Sequence, residues 1–464
     1  MVNSRNGRRD LSAKLRSLPS VDRVLSESAL VDALDRWPRP HVVDAVRSEL
    51  DVARSLLVNG REAPSAPAEL AELAERMLRG RLQPSLRHVI NATGVVIHTN
   101  LGRAPVSDAA SLAMSEASTG YTNLEFDLEQ GSRGSRANHL ESLLQAVTGA
   151  ESGIAVNNNA AALYLVISGH CAGREVIVSR GQALEIGGGF RIPDVLRQAG
   201  ATLVEVGTTN RTRPADYAEA VTDNTAAILR VHSSNFRIVG FAEEPSLAQL
   251  RHVANDADTL LIDDVGSGCL LDTRDFGLTY EPRPQDSVDA DADLVLFSGD
   301  KLLGGPQGGL IIGNQEWVDP LRTHPLMRAL RLDKAAIAGL AATLQHYLAG
   351  EAIDAIPIWR MINMEASELQ VRAQQWQAAL AGGQVEASES PIGGGSLPAE
   401  TRPTFVWSLE HPHPLDAARS LRDSETPIVA RVERERLILD PRTVLPGEDH
   451  DVITALHEIV GGVS

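Results

Sequence analysis

The chain has 464 residues, 43% of them hydrophobic and 22% charged, with a formal net charge of −18; this is too long for one core of typical size and predicts two or three soluble, globular domains. No stretch approaches the roughly 20 uncharged apolar residues of a membrane span, and residues 1–25 are broken by charges with no apolar signal core, so a cytosolic location of the bacterial type is expected. The two cysteines, Cys171 and Cys269, lack any Cys-x-x-Cys or His/Cys metal spacing and predict buried thiols, with no disulfide framework and no metal site.

Residues 1–90 hold 15 Lys+Arg against 12 Asp+Glu, while the remainder holds 28 against 49. The asymmetry permits the N-terminal part to touch a polyanion, and a helical face of solvated arginines gives the same count. From Pro40 to Arg81 apolar residues recur at helical spacing, Val42, Val46, Leu50 and then Leu70, Leu73, Met77, with a proline-containing break at Ala63–Pro67. This predicts a helical unit over residues 1–84.

After Pro84 short β-branched runs alternate with helical patterns: Gly153–Val156, Glu175–Val178, Thr202–Val206, Ala226–Val231, Thr259–Ile262, Leu294–Phe297 and Leu310–Ile312. Such alternation predicts a mostly parallel sheet covered on both faces, over residues 85–335. A helix over Asp333–Leu348, with Ile337, Leu340, Leu344 and Leu348 on one stripe, leads out of it. Strands at Thr404–Leu409, Pro427–Val432 and Arg436–Leu439 and helices at Leu415–Leu421 and Val452–Val460 then predict a small α+β domain over 336–464.

Lys14, Lys301 and Lys334 are the only lysines. Lys301 stands in Phe297-Ser298-Gly299-Asp300-Lys301-Leu302-Leu303-Gly304-Gly305-Pro306, where an apolar strand ends in glycine-rich turns that suit a side chain projected into a cleft. In aspartate-aminotransferase-like (fold type I) pyridoxal enzymes a serine a few residues before the lysine holds the cofactor phosphate, and Ser298 is so placed; a surface loop with an incidental lysine has the same look. Upstream, Leu261-Ile262-Asp263-Asp264-Val265-Gly266-Ser267-Gly268 sets carboxylates at the carboxyl end of an apolar strand, where open α/β sheets bind ligands. A carboxylate there can keep a pyridoxal ring nitrogen protonated. Neighbouring strand residues face opposite sides, so one of the two serves and the other is expected to cap a helix or turn. Acidic strand ends followed by glycine also occur in magnesium and nucleotide sites. Asn157-Asn158-Asn159-Ala160-Ala161-Ala162 reads as a helix start with small residues whose N–H groups can approach a phosphate, although Asn caps a helix without any ligand. The order, helix start, then strand-end Asp, then Lys, is the one expected of fold type I pyridoxal enzymes.

Ile90-Asn91-Ala92-Thr93-Gly94-Val95-Val96-Ile97-His98-Thr99-Asn100-Leu101-Gly102-Arg103, the Asn-Asn-Asn-Ala-Ala-Ala run, Glu185–Pro193, Val206–Thr212 and Ser298–Gly305 together resemble bacterial selenocysteine synthases, with likeness from about Leu18 to Pro398. The resemblance implies a pyridoxal 5'-phosphate enzyme that converts L-seryl-tRNA(Sec) to L-selenocysteinyl-tRNA(Sec) with selenophosphate, through a pyridoxal aldimine and a dehydroalanyl-tRNA. It implies a Schiff base at Lys301, Asp264 rather than Asp263 at the ring nitrogen, phosphate contacts from Ser298, Asn158, Asn159 and Ala160, and a catalytic part for Asp300. It further implies a tRNA-binding N-terminal domain, a cytosolic ring-shaped homo-oligomer, decameric in the family, and active sites between subunits. Seryl-tRNA has no free carboxylate to clamp but requires a place for a small dianion, which suits the arginine forks of Arg103, Arg328 and Arg331. The last two are three residues apart and so expected on one helix face. A pyridoxal lyase or desulfurase acting on a free amino acid is the enzymatic rival; it would need a carboxylate clamp and no helical segment before residue 84. A catalytically silent tRNA-binding relative is the other, against which the intact Lys301 and Asp264 stand.

Overall fold

The computed structural model describes residues 11–461 apart from positions 83, 187, 188 and 381. Gly187 and Gly188 of the Glu185–Pro193 motif, and positions 1–10 and 83 of the expected N-terminal domain, lie outside the described residues. The chain separates into two compact units, Met1–His88 and Val89–Ser464.

In the first unit, helices Val21–Leu25, Ser28–Arg36, Arg39–Val58 and Pro67–Leu82 share one core. Val42, Val46 and Leu50 are buried as their spacing predicts, but the last helix buries Leu70, Ala71, Ala74 and Leu78, leaving Leu73 and Met77 at the flank. The alanines decide this: facing Ala45 and Ala53 in the same core, they let helices approach closely, so the buried stripe follows the small side chains rather than the largest.

The second unit is built on seven strands: β1 (Ser152–Val156), β2 (Glu175–Ser179), β3 (Thr202–Val206), β4 (Thr225–Val231), β5 (Leu260–Gly266), β6 (Leu294–Ser298) and β7 (Gly309–Gly313). Their order in the sheet is β1-β7-β6-β5-β4-β2-β3. Only β7 runs against its neighbours, so the carboxyl ends of the other strands share one edge. Residues alternate between two cores: Ile262, Leu294, Leu296 and Ile311 pack with the Asn159–His170 helix, while Leu261, Val295, Phe297 and Leu310 pack on the opposite face with the Lys334–Leu348 helix. Burial on both faces is why these strands read as unbroken apolar runs.

Asp333 caps the Lys334–Leu348 helix by accepting from the N–H groups of Ala335 and Ala336. Ile337, Leu340 and Leu344 are buried, whereas Leu348, expected on the same stripe, is 48% exposed where the helix ends. Beyond it, β8 (Gln384–Pro391), β9 (Thr401–Glu410), β10 (Arg431–Glu433) and β11 (Arg436–Leu439) form an antiparallel sheet in the order β8-β9-β11-β10. The helices expected here run Pro414–Asp423 and Asp449–Gly461. The polar β8 had no strand signature in the sequence; β9 pairs with it over its whole length.

Ile90–Asn91 adds a short parallel strand to Ile428–Val429, and the Gly94 N–H donates to Thr443 Oγ1 at 3.0 Å. A side chain at Gly94, whose φ is +79°, would collide with the buried Asp440 carboxylate. The Ile90–Arg103 motif is thus anchored on residues from the far end of the chain.

Candidate active site

The two adjacent aspartates of β5 part company. Asp263 is fully buried on the Lys334–Leu348 face, where Arg230 donates to both its oxygens at 3.2 and 3.1 Å and Ser287 Oγ donates at 2.6 Å. It is a structural ion-pair residue, not the helix or turn cap expected. Asp264 faces the Asn159–His170 helix, and Asn159 Nδ2 donates to its Oδ1 at 2.8 Å. Ser298 has the same strand parity as Leu294 and Leu296, which places it on the Asp264 side.

Lys301 rides a tight turn after β6, closed by the Gly299 N–H donating to the Gly308 carbonyl (2.8 Å) and the Gly305 N–H to the Gly299 carbonyl (2.9 Å). Its side chain is 7% exposed, and burial pulls the amine below the usual lysine range, opposed by the nearby Asp264, Asp300 and Glu281 carboxylates. Gly395, with φ +86°, leaves the room it occupies; a Cβ there would stand 2.8 Å from both Lys301 Cε and Nζ. Asp300 Oδ2 accepts from Arg103 Nη1 at 2.7 Å, and the Ala104 N–H donates to the Asp300 carbonyl at 3.2 Å. Arg103 itself has φ +66°, a left-handed conformation that turns the chain at the end of the Ile90–Arg103 motif.

Asn158 caps the Asn159–His170 helix, its side chain accepting from the Ala161 N–H at 2.9 Å. Its carbonyl is approached so closely by Gly309 that a Cβ there would collide with it, which seats the helix start against β7. The Asn159 and Ala160 N–H groups belong to the unsatisfied first turn.

These residues fit pyridoxal phosphate. Burial pushes the Asp264 carboxyl up to about 6, against the Asn159 hydrogen bond and the Lys301 amine, a condition that a protonated ring nitrogen would relieve. Asn159 Oδ1 and Ser267 Oγ are buried with no hydrogen-bond partner among the described residues, and a helix N-terminus beside Ser298 suits a phosphate.

The raised Asp264 carboxyl has a sign that can be measured. Its folded value lies above the unfolded value of about 3.9, so its contribution to stability is fully present below that value and is lost as pH rises through about 6. Cofactor-free protein is expected to gain on the order of 1 kcal/mol between pH 7 and pH 5 relative to Asp264→Asn. Urea unfolding of both proteins across that range checks it; identical pH slopes would refute it.

Arg328 and Arg331 line a cleft of about 530 Å3 together with Arg133, Arg136, Arg322 and Glu125. The helix between them is only Met327–Leu330, and Arg331 is its extended C-cap, so the two are joined by the cleft and not by a helix face. Backbone contacts set them beside the site: the Asn157 N–H donates to the Leu330 carbonyl at 2.9 Å, and Val156 bridges Arg331. Arg331 is held 3.5 Å from Glu125, whose carboxyl is lowered chiefly by its Arg136 hydrogen bond. Arg103 lines a separate cavity of about 180 Å3 with Leu101 and Met361. Among the described residues, the cleft that holds Arg328 and Arg331 and the cavity that holds Arg103 share no lining residue.

Sequence reasoning missed His232 and Glu281, a facing pair 3.4 Å apart in which Glu281 is buried and the His232 side chain is 19% exposed. Nothing in the spacing of two residues so far apart signals their meeting.

Residues 89–445 match the family model described as L-seryl-tRNA selenium transferase, and residues 15–54 match that described as selenocysteine synthase N terminal. The chain is 44% identical over 454 residues to the L-seryl-tRNA(Sec) selenium transferase of Geobacter sulfurreducens, covering 95% of this chain and 98% of the relative. It is 45% identical over 447 residues to that of Geobacter metallireducens, covering 94% and 96%. Among solved structures, D-glucosaminate-6-phosphate ammonia-lyase aligns over 83% of this chain and 98% of its own with a TM-score of 0.60 at 22% identity, a likeness of fold.

Proposed function

The chain belongs to the L-seryl-tRNA(Sec) selenium transferase family, and from that premise we propose how its residues divide the work. It converts seryl-tRNA(Sec) to selenocysteinyl-tRNA(Sec) in selenocysteine biosynthesis, on a fold type I scaffold with pyridoxal phosphate as the family's cofactor. Lys301 carries the cofactor, Asp264 faces its ring nitrogen, and Ser298 with the Asn158–Ala160 helix start holds its phosphate. The observation that carries this reading is the shared burial of Lys301 and Asp264 beside that helix start.

Pyridoxal phosphate supplies an electron sink that acidifies the Cα–H of the seryl group. The Lys301 amine, whose charge burial disfavours, is the base that takes this proton. Asp300 holds Arg103 in place beside it. A seryl ester offers no free carboxylate, so the cleft arginines are left for another anion. Arg103, Arg328 and Arg331 bind selenophosphate, Arg103 from one cavity and the other two from the cleft. Because those cavities are separate in one chain, a second subunit completes the site, and the protein works as a ring-shaped homo-oligomer, decameric by resemblance. Exposed Tyr121, Leu128, Val239 and Phe241 support burial against other copies. Residues 1–84 bind the tRNA, residues 85–335 hold the cofactor, and residues 336–464 brace the site through the Gly395 turn. Among the described residues no helix is long and apolar enough to cross a membrane; the cytoplasm as its place of work follows from the family resemblance.

The donor assignment is tested by following hydroxyl loss from the seryl group separately from selenium incorporation. Charge-assisted hydrogen bonds contribute about 1.5–3 kcal/mol each, so Ala at any of the three positions should raise the donor concentration required by about ten- to a hundredfold. Hydroxyl loss should stay nearly normal, and Lys in place of Arg should recover only part of the deficit. Equal slowing of both stages would assign these arginines to tRNA or cofactor instead.

A further inference from the structure

One titratable pair, the half-buried His232 with the buried Glu281, has no part in these roles. His232 is the first residue past β4, and its N–H donates to the Asp264 carbonyl at 2.9 Å, which fixes it at the same strand-end edge. Its Nε2 is shut away from solvent without a hydrogen bond, 3.4 Å from Glu281 Oε1, which is also buried and unbonded. Glu281 is held from two sides: its Oε2 accepts from the Leu397 N–H at 3.3 Å, and its own N–H donates to Thr273 Oγ1 at 3.0 Å. Leu397 belongs to the turn whose Gly395 makes room for Lys301, and the Glu281 carboxylate acts on the Lys301 amine. His232, Glu281 and Leu397 line one cavity of about 360 Å3.

A buried carboxylate oxygen and an imidazole nitrogen that both lack hydrogen bonds are costly to keep, and such atoms call for an explanation in the chemistry of the site. A carboxylate facing one imidazole nitrogen orients the ring and leaves the other nitrogen to exchange protons. Of the other acids beside the lysine, Asp300 is committed to Arg103 and Asp264 accepts from Asn159.

We infer that His232, oriented by Glu281, is the acid that protonates the departing seryl hydroxyl. The inference rests on the proposal that Lys301 and Asp264 form the reacting centre. The Cβ–O bond breaks with its electron pair going to oxygen, the imidazolium proton of His232 joins that oxygen, and water leaves. The Cα proton passes separately to the Lys301 amine, and the electron pair of that C–H bond becomes the second bond between Cα and Cβ. His232 then regains a proton from solvent through the cavity. Glu281 acts through His232 as a positioning residue.

Full-length, cofactor-loaded His232→Gln and Glu281→Gln proteins, given seryl-tRNA(Sec) in deuterated water, separate the two proton transfers. General acid catalysis contributes a hundredfold or more, so hydroxyl loss should slow by about a hundredfold in His232→Gln while deuterium exchange at Cα stays within about threefold. Cofactor affinity and the thermal midpoint should hold, and Glu281→Asp, which keeps the charge, should recover part of the rate that Glu281→Gln loses. Parallel slowing of exchange and hydroxyl loss, a lowered cofactor affinity, or hydroxyl loss at the parent rate in His232→Gln overturns the inference. Absence of Cα exchange in the parent protein, or its persistence in Lys301→Ala, would instead overturn the assignment of Lys301.

Discussion

Lys301→Ala is expected to abolish covalent attachment of the cofactor and to reduce turnover of seryl-tRNA(Sec) by at least about a thousandfold, since the same amine binds the cofactor and serves as base. The fold should survive. The lysine is buried with its charge disfavoured, so its removal relieves a desolvated amine, and the Gly395 turn beside it loses only a close neighbour. The measurement is borohydride treatment followed by mass analysis of the protein, alongside turnover and thermal unfolding. Parent protein should gain the mass of reduced cofactor on the peptide containing Lys301, and the variant should not. A Lys301→Ala protein that still converts seryl-tRNA(Sec) would remove the basis for every role assigned around it. Asp264→Asn makes a useful companion, because it should retain the covalent cofactor while slowing Cα exchange. A larger effect from Asp263→Asn would appear as lost stability, since that side chain neutralises Arg230.

Removal of residues 1–88 is expected to lower affinity for tRNA(Sec) by a hundredfold or more while leaving cofactor binding intact. The cut follows the boundary between the two compact units, and each packs its own cores on its own side of it. The truncated chain keeps Ile90–Asn91, whose pairing with Ile428–Val429 anchors the motif leading to Arg103. Residues 1–90 carry an excess of three positive charges and the remainder an excess of 21 negative ones, so phosphate contacts should come mainly from the removed part. Binding by the full chain should weaken steeply as salt rises, roughly tenfold or more per few phosphates contacted, and that slope should collapse in the truncated protein. Filter binding or anisotropy over a salt series reads both quantities. Tight, salt-sensitive binding after truncation would move the tRNA contacts to the catalytic unit.

The sequence alone was sufficient wherever one residue's neighbours along the chain decide its environment. The seven strands of the central sheet were legible because each is buried on both faces and is written as an apolar run, and Lys301 stood out because lysine is so scarce. The long motifs shared with selenocysteine synthases supplied the family, and the matched family models bear that reading out. The strand β8 escaped because only Val385 and Ala387 interrupt its run of polar residues before Pro391, and it gains its pairing only from β9. Asp263 and Asp264 were adjacent carboxylates of equal standing until the sheet gave each a different face. One found an arginine and a serine, and the other found Asn159 and the lysine. Arg328 and Arg331 likewise share a cleft, not the helix face their spacing suggested, because the helix ends before the second of them. His232 and Glu281 meet only because β4 and the segment after β5 carry them to one edge of the sheet. Local pattern determines which segments are strands, helices and cofactor motifs, since those follow from backbone sterics and the period of apolar side chains. Which charges are paired, which are left bare, and how far burial moves the Asp264 and Lys301 protons depends on atoms contributed from many places along the chain, and only the folded arrangement sets that surrounding dielectric and its neighbours.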